Sequence, residues 1–226
     1  MYAKFFKRLL DFVLSFIALS VFSPILVLLA LIGAIAMGGN PFFAQKRPGR
    51  DEKIFTLIKF RTMSNKKDSQ GNLLPDEARL NRYGKFLRST SLDELPELVN
   101  ILLGHMSIVG PRPQLVRDMV FMTKEQRRRH TVRPGLTGLA QVCGRNNISW
   151  TQKFQYDLQY IDEGITFLKD MKIIFLTAFK VLKKSDVVRE GTVSDMDFGD
   201  WLLQEHEIDL QEYEQKQEEA KTLLQN

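Results

Sequence analysis

The chain has 226 residues, 44% of them hydrophobic and 26% charged, which is enough apolar side chain to fill a core and excludes wholesale disorder. Its one cysteine, Cys143, excludes an intrachain disulfide. The net charge of +5 conceals an asymmetry: from Asp186 onward twelve acids face three bases, so residues 1–185 carry +14 and seek anions such as phosphate groups, acidic lipid or nucleic acid.

The first element is apolar. Phe12 to Met37 contains no charged residue, more than the roughly 20 residues a helix needs to cross a bilayer. A buried core helix of that length would carry a polar stripe. A signal peptide would have an apolar run of only about 7–15 residues. Bases precede the segment (Lys4, Lys7, Arg8) and follow it (Lys46, Arg47, Arg50, Lys53), so the positive-inside rule pulls both ends to the cytoplasm. Ser23-Pro24 stands mid-run, where proline removes a helical N–H and crowds the Ser20 carbonyl. The expectation is a re-entrant helix broken at Ser23-Pro24; a kinked span is the alternative that charge counting leaves open.

Next, Phe42–Lys46 and Ile54–Arg61 alternate as strands, with Arg47-Pro48-Gly49-Arg50 as a type II turn. Lys59 and Arg61 fall on one face of the second strand. Ser64 to Pro75 reads as a polar loop and Asp76–Leu87 as a short helix. Leu95, Leu98, Val99, Leu102 and Leu103 recur with helical spacing up to Gly104. Met106–Val109 is strand-like, and turn-rich stretches begin at Gly110-Pro111-Arg112-Pro113 and Arg133-Pro134-Gly135. Trp150–Ile161 and Phe167–Lys184 are amphipathic helices, the second lysine-rich and suited either to an acidic membrane surface or to the core. Gln204–Asn226 is an acidic helix, solvated or facing a partner.

No zinc spacing, Walker loop or dinucleotide fingerprint is present. The best candidate site is Asp93-Glu94. A capping box Ser91-x-x-Glu94 would put Pro96 where it breaks the helix, whereas Asp93 as N-cap leaves Pro96 in the first turn. That places Asp93 at a helix mouth, where free N–H groups favour phosphate. Paired carboxylates suit Mg²⁺ with a diphosphate, and a carboxylate can attack phosphorus. Lys59, Arg61, Arg88, Arg112 and Arg145 are the candidate cations for the transferring group. A non-catalytic adaptor for acidic lipid or nucleic acid is the competing class, but it leaves the two acids without a task and they oppose a nucleic-acid groove.

Lys7-Arg8-Leu9-Leu10-Asp11, Ser23-Pro24, Lys59-Phe60-Arg61-Thr62-Met63, Ser91-Leu92-Asp93-Glu94-Leu95-Pro96, Gly110-Pro111-Arg112-Pro113, Arg133-Pro134-Gly135-Leu136-Thr137-Gly138 and Gly144-Arg145-Asn146 follow in this order. Together they resemble the bacterial sugar transferase family, the small monotopic phosphoglycosyl transferases, and within it the branch that opens N-glycosylation of the Campylobacter type. The resemblance implies an α+β, mainly helical fold: a re-entrant membrane helix over 1–39, a small β-hairpin and interfacial helices in a cytosolic catalytic domain over 40–191. An acidic tail, 192–226, lies outside the shared pattern. The resemblance further implies transfer of a sugar 1-phosphate from a UDP-sugar to undecaprenyl phosphate at the bacterial inner membrane, with release of UMP. Asp93 would be nucleophile and Mg²⁺ neighbour, with Glu94 assisting. Pro111, Arg112 and Pro113 would hold the uridine nucleotide. UDP-N,N′-diacetylbacillosamine is the favoured donor, with UDP-GlcNAc, UDP-GalNAc and UDP-galactose as alternatives.

Overall fold

The computed structural model describes residues 1–144, 148–183 and 196–225. After a π-helical turn at Tyr2–Phe6, the apolar segment forms helix α1, Lys7–Met37, closed by Gly38 in the left-handed region (φ 66°). Among the described residues, Tyr2–Met37 is the one stretch of helix long and apolar enough to cross a membrane, with a mean hydropathy of 2.6 over its best window. Contrary to the expected break, the helix continues through Ser23-Pro24. The reason is local: the Ser23 hydroxyl donates to the Ser20 carbonyl at 2.8 Å, replacing the N–H that Pro24 lacks.

A single stripe of α1 faces the body, with Asp11, Ser15, Leu29 and Gly33 buried, while Phe16, Val21, Leu28, Leu31 and Ile35 on the other sides are exposed. Polar tethers hold both halves. Lys7 pairs with Asp170 at 2.6 Å, Arg8 donates to the Ile101 and Leu102 carbonyls, and Asp11 accepts from the Ile108 N–H. Further along, Tyr83 donates to the Leu29 carbonyl at 2.8 Å and Asn81 to that of Ala36 at 3.0 Å. Lys7 and Arg8, read from sequence as topology signals, are therefore also committed to the fold.

The hairpin pairs β1, Phe42–Pro48, with β2, Ile54–Phe60, in antiparallel register from Phe42↔Phe60 to Pro48↔Ile54. Pro48 stays in the ladder, so the expected four-residue turn is instead the longer connection Gly49–Lys53, closed by a bond from the Gly49 N–H to the Lys53 carbonyl. Phe55 and Leu57 pack with Leu98, Ile101, Ala18 and Leu19; Phe60, on the opposite face, packs with Leu29 and Leu87. The hairpin thus sits between α1 and the helices that follow.

The single helix expected over Asp76–Leu87 is two: α2, Asp76–Arg79, and α3, Arg82–Thr90, because the Asn81 side chain caps α3 by accepting from the Gly84 N–H. Helix α4, Glu97–Leu103, ends at Gly104 (φ 87°) as expected, but its buried residues are Glu97, Leu98, Asn100 and Ile101, and Leu103 is exposed. Strand β3, Ser107–Val109, pairs in parallel with β4, Gly135–Thr137, a strand that the turn-rich reading of that stretch missed. A Cβ on Gly135 would sit 2.1 Å from the Gly110 nitrogen, so the two chains can cross only with glycine there.

Short helices α5, Val116–Met119, α6, Lys124–Arg127, and α7, Leu139–Cys143, precede α8, Trp150–Asp162, which starts at a Ser149–Gln152 capping box. Helix α9, Phe167–Lys183, buries Asp170 and Ile173 and exposes Leu168, Phe175 and Phe179, so it serves the core on one side only. The boundary expected at 191/192 and the helix end at Lys184 lie outside the described residues. The acidic segment is not wholly solvated: α10, Phe198–Gln204, packs Phe198 on Trp150 and Phe154. Helix α11, Leu210–Gln225, buries Ala220 against Val116, Met119 and Val120.

Candidate active site

Ser91 closes α3 in the left-handed region (φ 55°) and turns the chain into one 3₁₀ turn, Leu92–Glu94, before α4. Pro96 is the N-cap of α4, so Asp93 is not; it lies one tight turn earlier, and the Ser91 capping box that Pro96 argued against does not form. The helix-mouth geometry inferred from Pro96 is corrected accordingly. Asp93 is buried in that turn.

Burial, reinforced by the adjacent Glu94, pushes the Asp93 carboxyl up to about 6, against the pull of Lys59, Arg112 and Arg88. An acid so placed is more basic than a surface aspartate and is still surrounded by cations. Glu94 is committed to Arg112, 2.5 Å from its guanidinium, and holds that guanidinium's titration above the ordinary range. Lys59 stands at the end of β2 on the face of Phe55 and Leu57; burial lowers its pKa while Asp93 raises it. Arg88, in the last turn of α3, donates its Nε to the Thr62 hydroxyl at 3.0 Å and is likewise lowered by burial, with Asp93 opposing. Buried, charge-opposed groups of this kind are characteristic of sites that do chemistry.

Arg112 is held by its backbone. Pro111 and Pro113 are buried on either side of it, while its own side chain is 44% exposed. The Pro111 carbonyl accepts from the Gly135 N–H at 2.9 Å, that of Arg112 from Arg129 at 2.7 Å, and that of Pro113 from Arg47 at 3.2 Å.

The structure thus gathers Lys59, Arg88, Asp93, Glu94, Pro111, Arg112 and Pro113. Arg61 makes no ion pair with either carboxylate, and its buried Nε has no hydrogen-bond partner among the described residues. Arg145, with Asn146, lies outside the described residues. Two residues were not anticipated from sequence. Glu97 is buried and pushed up to about 8, first by burial and then by Glu94. Arg47, lowered to about 10 by burial and by Arg112, braces the same loop. Glu97 looked like an ordinary first-turn acid and Arg47 like a turn residue; no pattern in the sequence marks either.

Among the described residues no three His, Cys, Asp or Glu side chains cluster as a metal cage. The adjacent acids Asp93 and Glu94 fit a cation of another kind, one that takes one or two carboxylates and completes its shell with phosphate oxygens and water, as Mg²⁺ does.

A family model described as bacterial sugar transferase matches residues 2–184. A Bacillus subtilis protein named "Uncharacterized sugar transferase EpsL" is 46% identical over 188 residues, covering 83% of this chain and 93% of its own length. The UDP-glucose:undecaprenyl-phosphate glucose-1-phosphate transferase of Klebsiella pneumoniae is 42% identical over 185 residues, 77% of this chain and 40% of that protein. The galactosyl transferase CpsE of Streptococcus agalactiae is 40% identical over 191 residues, 78% of this chain and 42% of that protein. Of the latter two, the match spans about two fifths of the length.

Proposed function

Given that the chain belongs to the bacterial sugar transferase family, we propose that it moves a sugar 1-phosphate from a UDP-sugar to undecaprenyl phosphate with release of UMP. The observation that carries this reading is the buried Asp93 carboxylate with raised pKa, opposed by Lys59, Arg88 and Arg112. An Asp93 oxygen attacks the sugar-bearing β-phosphorus, and the bond from that phosphorus to the bridging oxygen breaks. UMP departs with the bonding pair. A phosphate oxygen of the lipid then attacks the aspartyl phosphosugar, the acyl-phosphate bond breaks, and the Asp93 carboxylate is restored. Arg112, oriented by Glu94, and Lys59 offset the charge spread over the transferring phosphoryl oxygens. A Mg²⁺ held by Asp93 and Glu94 would supply further neutralisation of the diphosphate.

The acceptor is a lipid, and the topology follows from that. The body grips both halves of α1 (Lys7 and Arg8 near its start, Tyr83 and Asn81 near its end). This supports a monotopic placement, with both ends of α1 on the cytoplasmic face of the inner membrane. The exposed Leu168, Phe175 and Phe179 of α9 would lie at the same interface.

For the donor, motif resemblance argues for UDP-N,N′-diacetylbacillosamine. The names of relatives argue for UDP-glucose or UDP-galactose. A UMP-release assay with purified protein, Mg²⁺, undecaprenyl phosphate and these donors plus UDP-GlcNAc and UDP-GalNAc tests reaction and donor together. If none yields UMP, the enzymatic reading fails and a membrane-bound adaptor for anionic ligands takes its place.

A further inference from the structure

Arg129 is the largest fully buried side chain among the described residues, and it lies outside every motif that the proposed reaction uses. It sits in the helical turn Arg128–Thr131. Its Nε and Nη2 donate to one oxygen of Asp157 on α8, at 3.0 and 2.7 Å, and its guanidinium stands over the Phe154 ring at 5.8 Å. The side chains of the pair are 1% and 3% exposed.

Such a pair is a poor stabiliser. Desolvating both ions offsets most of their attraction, and well-packed apolar residues of the same volume commonly serve a core as well or better. What an apolar pair could not provide is the third bond, from Arg129 Nη2 to the Arg112 carbonyl at 2.7 Å. Arginine can meet a carboxylate and a carbonyl at once because its donors are fixed in a planar fork.

That third bond falls where it controls most. Pro111 and Pro113 have fixed φ and no N–H. The flanking carbonyls are already tied, by the Gly135 N–H and by Arg47. Arg129 closes the remaining freedom of the Arg112 peptide, so the direction in which the Arg112 side chain leaves the backbone is set, and it leaves toward Glu94 at 2.5 Å.

We propose that Arg129, locked by Asp157, is a positioning residue that sets the reach of Arg112 toward Glu94 and the transferring phosphate. This deepens the proposed reaction and rests on its assignment of Arg112. Arg129 touches no reacting atom and acts through the Arg112 backbone.

The test compares Arg129→Met combined with Asp157→Leu, which keeps the packing, with Arg129→Lys, which keeps the charge opposite Asp157 but lacks the fork. Each is made in wild-type and Arg112→Ala backgrounds. Hydrogen exchange is read over residues 110–116, and kcat/KM from UMP release. We expect faster exchange confined to that segment and a loss in kcat/KM of about tenfold to a hundredfold. In the Arg112→Ala background no further loss should follow, because the residue being positioned is gone. Unchanged exchange over 110–116, or losses that multiply with Arg112→Ala, would overturn the proposal. Full UMP release by Arg112→Ala alone would instead refute the role given to Arg112, while exchange would still decide whether Arg129 holds the loop. If the double substitution unfolds the protein, Arg129→Lys carries the same comparison.

Discussion

The side-chain amide of Asn100 forms two bonds with the free edge of β2, accepting from the Ile58 N–H at 3.1 Å and donating to the Thr56 carbonyl at 2.7 Å. It stands in for a third strand and fixes α4 against the strand that carries Lys59 toward Asp93. Asn100 is 1% exposed, so Asn100→Ala leaves a hole at a buried position and takes both partners from the β2 edge. The expected loss is about 3 kcal/mol, read as a lower unfolding midpoint in detergent. A midpoint equal to wild type would show that the edge is satisfied some other way.

Asp93→Asn separates chemistry from stability. Loss of the nucleophile should lower UMP release by about a thousandfold or more. Because the ionised carboxylate is disfavoured where it sits, with its pKa held at about 6, the neutral amide should melt no earlier than wild type. Turnover that survives the substitution would move the nucleophile elsewhere.

His130 makes stability depend on pH. Burial first, then Arg129 and Arg127, hold its imidazole down at about 3, and Glu52, 3.5 Å from Nδ1, does not outweigh them. The unfolded chain takes up a proton near pH 6.5, whereas the folded chain does so only near 3. Stability is therefore fully present above about 6.5 and declines as pH falls through that window. From pH 7 to pH 5 this group alone costs about 2 kcal/mol. Urea unfolding at the two values should show the drop, and His130→Phe should flatten it; an unaltered slope in the variant would place the effect on other groups.

Topology can be read by thiol labelling. In a Cys143→Ser background, Ala3→Cys and Asn40→Cys place single thiols at exposed positions either side of α1. A membrane-impermeant reagent should label neither in intact cells and both after permeabilisation. Labelling of one but not the other in intact cells would establish a span.

Much of this architecture was legible in the chain because regular burial writes a period. The hairpin alternates, α8 and α9 recur at helical spacing, and Gly104 ends α4 where expected. What escaped was set by single contacts. Asn81 splits one expected helix into two by capping α3, and β4 exists because Gly110 and Gly135 allow two strands to touch, which three residues of sequence cannot announce. Asp93 was singled out by the chemistry of neighbouring acids, yet its place in a 3₁₀ turn depended on Ser91 adopting a left-handed backbone. Arg47, Glu97 and Arg129 had no signature, since their importance lies in what the fold folds them against.

The way α1 lies along the body has a practical side. Leu29 shares a core with Phe60 and Leu87, and Ala18 and Leu19 lean on the cluster around Phe55 and Leu57. Residues 1–39 are therefore a wall of the building as well as its proposed mooring. Trimming them to obtain a water-soluble version would leave the hairpin bare on two sides, and grafting a foreign anchor in their place would supply grease without the matching surface. Preparations of this protein should keep α1 intact, with lipid or detergent to cover its exposed apolar side.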